Sequence, residues 1–83
     1  MWANGRQDLR VACEQFLTKI DYGESLLVLK TPSGRANALA VAIDECGVDG
    51  VVGTLAGDDT VLLVMRRSQD RESVREMLEE MAG

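Results

Sequence analysis

The stretch from residue 53 to 60, Gly-Thr-Leu-Ala-Gly-Asp-Asp-Thr, constrains the fold more than any other part of this chain. It lies between two apolar runs, Val51-Val52 before it and Val61-Leu62-Leu63-Val64 after it. Apolar, β-branched runs separated by Gly and Asp predict two strands joined by a tight turn. We therefore predict a β-hairpin whose turn carries two adjacent carboxylates, Asp58 and Asp59.

The segment before residue 35 predicts a second pair of strands. Residues 16–20 alternate in polarity as a strand does, and residues 21–24 have the composition of a turn. Residues 26–30 form an almost continuous aliphatic run, which is typical of a strand covered on both faces. Residues 8–17 are compatible with a helix or with an irregular segment that leads into a strand.

Two segments have helical periodicity. We predict helices over residues 36–46, ended by Gly47, and over residues 68–82, with Ser68 or Asp70 as the N-cap. The resulting order, β-β-α-β-β-α, predicts an α+β fold. We expect a two-layer sandwich in which a four-stranded, mainly antiparallel sheet packs on two helices.

The helix predicted over residues 36–46 is apolar on more than one side. At 100° per residue, one face collects Ala36, Leu39, Ile43 and Cys46. The opposite face collects Asn37, Val41 and Asp44, with alanines on the flanks. A helix whose back faces water normally carries Lys and Glu there, so we expect another subunit to cover this back.

The size and composition of the chain also favour assembly. A chain of 83 residues forms one small domain with a marginal core. It has no His, and its two cysteines, Cys13 and Cys46, lack the spacing of a zinc site, so we expect no metal and no cofactor. We find no secretory leader and no membrane-spanning run, and we predict a cytoplasmic protein with reduced thiols and no membrane partner.

The charge of the chain is concentrated in one segment. Residues 36–65 contain no Lys or Arg but five acids: Asp44, Glu45, Asp49, Asp58 and Asp59. The remaining nine acids balance the nine bases, so the net charge of −5 belongs to this segment. Clustered carboxylates without partners require a cation, which could be a metal, a basic protein or a small ligand. A basic patch for nucleic acid is absent.

Several readings of the acidic turn compete. The simplest is that Asp favours turns because its side chain bonds nearby backbone N–H groups. A metal-binding Gly-Asp-Asp, as in some polymerases, is disfavoured because a polymerase palm does not fit in this chain. Phosphate-binding glycine motifs are absent, and no nucleophile has a candidate base beside it, so we predict that the chain is not an enzyme.

Three stretches of the chain resemble a known family. They are Thr31-Pro32-Ser33-Gly34-Arg35-Ala36-Asn37-Ala38-Leu39, Ile43-Asp44, and Val52-Gly53-Thr54-Leu55-Ala56-Gly57-Asp58-Asp59-Thr60. Together they resemble the C-terminal domain of the bacterial arginine repressor. The resemblance extends over about residues 16–81 and implies the same two-layer α/β fold.

The resemblance also implies an assembly and a ligand. In this family the domain forms trimers, two trimers stack as a hexamer, and L-arginine binds between them as co-repressor. A separate N-terminal domain binds operator DNA. We therefore expect residues 1–7 to be a linker stub from that domain and residues 8–83 to be the arginine-binding and oligomerisation domain. This chain alone should not bind DNA.

The family's arginine-contacting positions fall on six residues of this sequence: Asn37, Asp44, Thr54, Ala56, Asp58 and Asp59. A guanidinium offers paired donors that one carboxylate can accept, and we assign that role to Asp58 of the facing trimer. Asp44 and Asp59 would hold the α-amino group, and the other three residues would orient the α-carboxylate. The alternative is an assembly-only module that has lost the response to arginine, or one that senses another cationic amino acid.

Overall fold

The computed structural model describes residues 5–83, which form three helices and one four-stranded sheet. Two helix-strand-strand units are followed by a closing helix. The elements are α1 (Gly5–Phe16), β1 (Lys19–Gly23), β2 (Leu26–Lys30), α2 (Ala36–Cys46), β3 (Val51–Ala56), β4 (Thr60–Met65) and α3 (Asp70–Ala82). The predicted α+β sandwich is confirmed, with one more helix than the six-element order contained.

The sheet is antiparallel throughout, in the order β1-β2-β4-β3. The two hairpins therefore pair through β2 and β4, which places Lys30 directly opposite Thr60. Val52 lies at a register shift in β3, where the partners change from Val51–Met65 to Gly53–Val64. The predicted hairpin around Asp58 and Asp59 is confirmed.

Only one face of the sheet is covered. Leu27 and Leu29 of β2 are buried, and the alternate residues between and beside them are half-exposed. The expectation that this strand is covered on both faces is therefore wrong for the single subunit. The open face carries Leu26, Val28, Leu55, Leu62 and Val64, and we call it the open sheet face.

The helices form the second layer. Helix α2 packs on β3 and β4, α3 packs on β2, and α1 packs against both α2 and α3. The core-facing residues of α2 are buried as predicted, except for the half-buried Cys46. Gly47 ends α2 with φ of 67°, a left-handed conformation that glycine adopts without steric cost. The apolar stripe of α3 is also confirmed: Val74, Leu78 and Met81 are buried and Met77 is half-buried.

The first segment of the chain differs from its prediction. Residues 5–16 are helical because Leu9, Ala12 and Cys13 recur at helical spacing and are buried against the other helices. Strand β1 runs from Lys19 to Gly23, so the strand predicted over residues 16–20 begins too early. Residues 21–23 of the predicted turn belong to this strand, and the chain turns at residues 24–25. Residues 5–7 belong to α1, and residues 1–4 of the predicted linker lie outside the described residues. The assignment of residues 1–7 to a linker stays a prediction.

The start of α3 differs from its prediction. The residue that precedes α3 is Gln69, and no side chain among the described residues caps this helix, so the predicted cap by Ser68 or Asp70 is wrong.

Both cysteines are free thiols, and burial raises the pKa of Cys13 to about 11. In residues 5–83, no helix has the length and apolar character that crossing a membrane requires.

Candidate functional site

The acidic turn is joined to the start of α2 by hydrogen bonds. The carbonyl oxygen of Asp58 accepts hydrogen bonds from the N–H groups of Gly34 at 3.1 Å and Ala36 at 3.2 Å. The N–H of Thr31 donates to the carbonyl oxygen of Asp59 at 2.9 Å. Because Arg35, the N-cap residue of α2, makes no side-chain cap bond, the turn itself satisfies part of the helix N-terminus.

The carboxylate of Asp58 lies at this same helix end. The hydroxyl of Ser33 donates to Oδ2 of Asp58 at 2.7 Å. The N-terminus of a helix carries a partial positive charge, which favours a carboxylate there. The structure thus places the chain's own Asp58 against Ser33 at this helix end.

The carboxylate of Asp59 is paired, contrary to the prediction that both turn acids lack partners. Its Oδ1 accepts a hydrogen bond from the Thr60 hydroxyl at 2.9 Å and lies 3.6 Å from Nζ of Lys30. Lys30 also donates to the Thr60 hydroxyl at 2.6 Å. The Thr60 hydrogen bond, and secondarily the charge of Lys30, lower the pKa of Asp59. The sequence missed this pair because Lys30 lies outside the base-free segment and meets Asp59 only through the β2–β4 register.

Within residues 5–83, the other two acids of the site have no cationic partner. Residues 5–83 form five ion pairs, and neither Asp44 nor Asp58 takes part in any of them. Both side chains belong to exposed residues. The uncompensated negative charge of the segment therefore includes two of the predicted ligand-binding carboxylates.

Asp44 and Thr54 line one small cavity at the other end of α2. The cavity measures about 110 Å³ and is bounded by the end of α2 and the first residues of β3. The Thr54 hydroxyl oxygen is buried and makes no hydrogen bond among the described residues. A buried polar atom without a partner is rare in folded proteins, so this hydroxyl is suited to a ligand or to a neighbouring subunit.

The back of α2 connects the two ends of the site. Asn37, Val41 and Asp44 are all exposed, and 43% of Val41 is accessible. Asn37 and Asp44 are seven residues apart, or about 10 Å along the helix axis. The structure thus places Asn37 toward the turn acids and Asp44 beside Thr54, while Ala56 ends β3 just before the turn. No other element of residues 5–83 covers this surface, and its expected cover by another subunit stays a prediction.

A second cavity, larger than the one beside Asp44 and Thr54, lies away from the candidate site. It measures about 610 Å³ and lies between the first turn of α1, the end of α2 and α3. None of the six predicted site residues lines it.

Among the described residues, no cluster of three His, Cys, Asp or Glu side chains could hold a metal ion. The arrangement around α2 is therefore suited to an organic cation with additional polar groups, because it presents carboxylates together with neutral hydroxyl and amide groups.

The chain matches a family model described as the arginine repressor C-terminal domain, over residues 13–80. An arginine repressor of a Geobacillus species is 41% identical over 78 residues, which are 94% of this chain and 52% of the relative. An arginine repressor of Thermus thermophilus is 39% identical over 80 residues, which are 96% of this chain and 47% of the relative. An arginine repressor of Deinococcus radiodurans is 41% identical over 63 residues, which are 76% of this chain and 40% of the relative.

These matches extend over most of the chain but over a smaller part of each relative. The chain spans about half the length, or less, of these three relatives. The relatives are named as repressors rather than as enzymes, in agreement with the prediction of a non-enzymatic domain.

Proposed function

Because the chain belongs to the arginine repressor C-terminal domain family, we propose that it is the arginine-sensing and oligomerisation domain of a transcriptional repressor of arginine metabolism. L-arginine acts as co-repressor, and operator DNA is bound by a separate N-terminal domain. This function requires no metal or further cofactor. A repressor acts on the chromosome, so the protein works in the cytoplasm.

The observation that carries the proposal is the polar surface along the back of α2. Among the described residues, Asp44 on this surface and Asp58 at the start of α2 have no cationic partner, and the hydroxyl of Thr54 is buried without a hydrogen bond. Arginine brings a guanidinium and an ammonium for the acids and a carboxylate for neutral donors. In this proposal Asp58 takes the guanidinium, Asp44 and Asp59 hold the α-amino group, and the α-carboxylate is oriented by Asn37, Thr54 and Ala56.

The exposed surfaces of the subunit support an assembly with two kinds of interface. The open sheet face is apolar, and 68% of Leu55 is accessible there. The back of α2 carries the candidate ligand residues. A hexamer of two stacked trimers needs one interface within each trimer and another between them, and we assign the open sheet face to the first and the acidic surface to the second.

The mechanism follows from the charges. Without a ligand, acids from two trimers approach one another across the interface and weaken it. Arginine places cationic groups between them, so its binding free energy stabilises the hexamer by linkage. In the alternative, an assembly-only module, the hexamer would form to the same extent without a ligand.

Sedimentation velocity tests the proposal most directly. The chain should shift from trimer toward hexamer, or show a tighter hexamer, in millimolar L-arginine and not in millimolar L-lysine. A hexamer that ignores arginine would support the assembly-only alternative. A shift with lysine alone would identify another cationic amino acid as the ligand. A monomer indifferent to both would refute both the assembly and the ligand.

A further inference from the structure

Lys30 forms an ion pair with Asp59, one of the candidate ligand residues, and the proposed function assigns it no role. It ends β2 and points along the sheet toward the acidic turn, where its ammonium contacts both Thr60 and Asp59. We infer that Lys30 is a specificity-determining residue, which makes the site favour ligands that keep an α-carboxylate over decarboxylated guanidinium cations. This inference rests on the proposed function, because it concerns the same site.

The geometry leaves Lys30 free to meet a ligand. An ammonium group has three donors. One donates to the Thr60 hydroxyl at 2.6 Å, and the charge faces Oδ1 of Asp59 at 3.6 Å. The side chain is still 40% accessible, so a further donor can reach a group that approaches from solvent.

Lys30 also changes what Asp59 offers to a ligand. Oδ1 of Asp59 is occupied by the Thr60 hydroxyl and lies against the Lys30 charge, so a ligand ammonium meets an acid that is already partly compensated. Asp58 lies in the same turn and receives a hydrogen bond only from the neutral Ser33 hydroxyl among the described side chains. Two adjacent acids with the same chemistry therefore differ in the charge that they present.

The selectivity follows from Coulomb's law. Arginine and agmatine share a guanidinium and an amino group, but agmatine lacks the carboxylate and carries one more unit of net positive charge. The ammonium of Lys30 attracts the carboxylate of arginine and repels the extra charge of agmatine. In the exposed subunit this interaction is screened, and it strengthens when ligand and a second trimer exclude water.

Calorimetric titration of the chain with L-arginine and with agmatine tests the inference. Lys30→Met should shift the ratio of the two affinities toward agmatine by about tenfold. Lys30→Arg should keep the wild-type ratio, because it keeps the charge. Lys19→Met is the matched control, since Lys19 lies opposite Lys30 in β1 and forms no ion pair among the described residues.

The outcomes separate this inference from the proposed function. If the unmodified chain binds neither compound, the proposed function itself fails. If it binds arginine but Lys30→Met leaves the ratio unchanged, or shifts it no more than Lys19→Met does, the role of Lys30 is refuted. A loss of both affinities in equal proportion would also refute it, because that result indicates a structural role without selectivity.

Discussion

The hydroxyl of Ser33 donates to Oδ2 of Asp58 at 2.7 Å, although 25 residues separate the two in the chain. The bond joins the loop before α2 to the turn between β3 and β4, so the strongest ligand candidate of the turn is held against the helix that carries Asn37 and Asp44. Its donor is neutral, and the charge of Asp58 therefore stays available to a cation.

Replacing Asp58 by Asn should remove the charge and keep the shape of the side chain. We expect Asp58→Asn to weaken L-arginine binding by at least about tenfold, because a charge-assisted pair with the guanidinium is lost. The trimer should persist, since the turn is held by the backbone carbonyl of Asp58. Calorimetry and sedimentation measure the two properties. Asp49→Asn, elsewhere in the acidic segment, is the control, and normal binding by Asp58→Asn would show that Asp58 is not the guanidinium ligand.

Thr54→Val should separate ligand binding from stability. The Thr54 hydroxyl is buried without a hydrogen bond, so an apolar group of the same shape should leave the free energy of unfolding unchanged or raise it by up to about 1 kcal/mol. Arginine affinity should fall, because the hydroxyl is then missing from the site. Urea unfolding without arginine, at fixed protein concentration, gives the first quantity and calorimetry gives the second. A marked loss of stability in Thr54→Val would mean that the hydroxyl has a structural partner.

A charge on the open sheet face should disrupt assembly and spare the fold. Leu55 is mostly exposed in the subunit, so Leu55→Glu should change the stability of the isolated fold by less than about 1 kcal/mol. In an assembly the same carboxylate would be buried in an apolar interface, which is costly. Sedimentation should show smaller species, while Val11→Glu on the exposed side of α1 should not. Unaltered assembly of Leu55→Glu would remove this face from the trimer interface.

The titration of Asp59 should reveal its two partners. Its pKa lies below the ordinary value of 3.8, chiefly through the Thr60 hydrogen bond and then through Lys30. Thr60→Val and Lys30→Met should therefore each raise the pKa of Asp59, as followed by carboxyl carbon NMR. A depressed carboxyl pKa contributes stability above the ordinary value, and this contribution is lost as the pH falls through the lowered pKa. Equal pKa values in both variants and the unmodified chain would contradict the network.

Local patterns in the sequence predict much of this protein. The β3–β4 hairpin, the bounds of α2 and its end at Gly47 follow from residues that lie next to one another in the chain. The same holds for the apolar stripe of α3. The cover expected over the back of α2, where alanines and a valine replace the usual charged residues, stays a prediction. These features depend on periodicity and turn chemistry, which act over a few residues.

The prediction is weaker wherever the same residues fit two local structures. Residues 8–17 allow a helix or an irregular segment, and only packing against α2 and α3 decides for α1. Leu26 to Lys30 suits a strand with two covered faces, but the helices of one subunit cover only one of them. Propensity alone cannot say how many layers a chain of this size builds.

Sequence by itself determined most of the elements from β2 onward, the segment that carries the net charge, and the family, because these reside in composition and in motifs of adjacent residues. Tertiary structure alone decided which polar groups of the candidate site are already bonded within the subunit and which remain available to a ligand. The β2–β4 register brings Lys30 to Asp59 across 29 positions of chain, the loop before α2 brings Ser33 to Asp58, and the packing of α2 on β3 buries the Thr54 hydroxyl. Coulombic and hydrogen-bond interactions act through space, so the partners of an acid depend on the fold and cannot be counted along the chain.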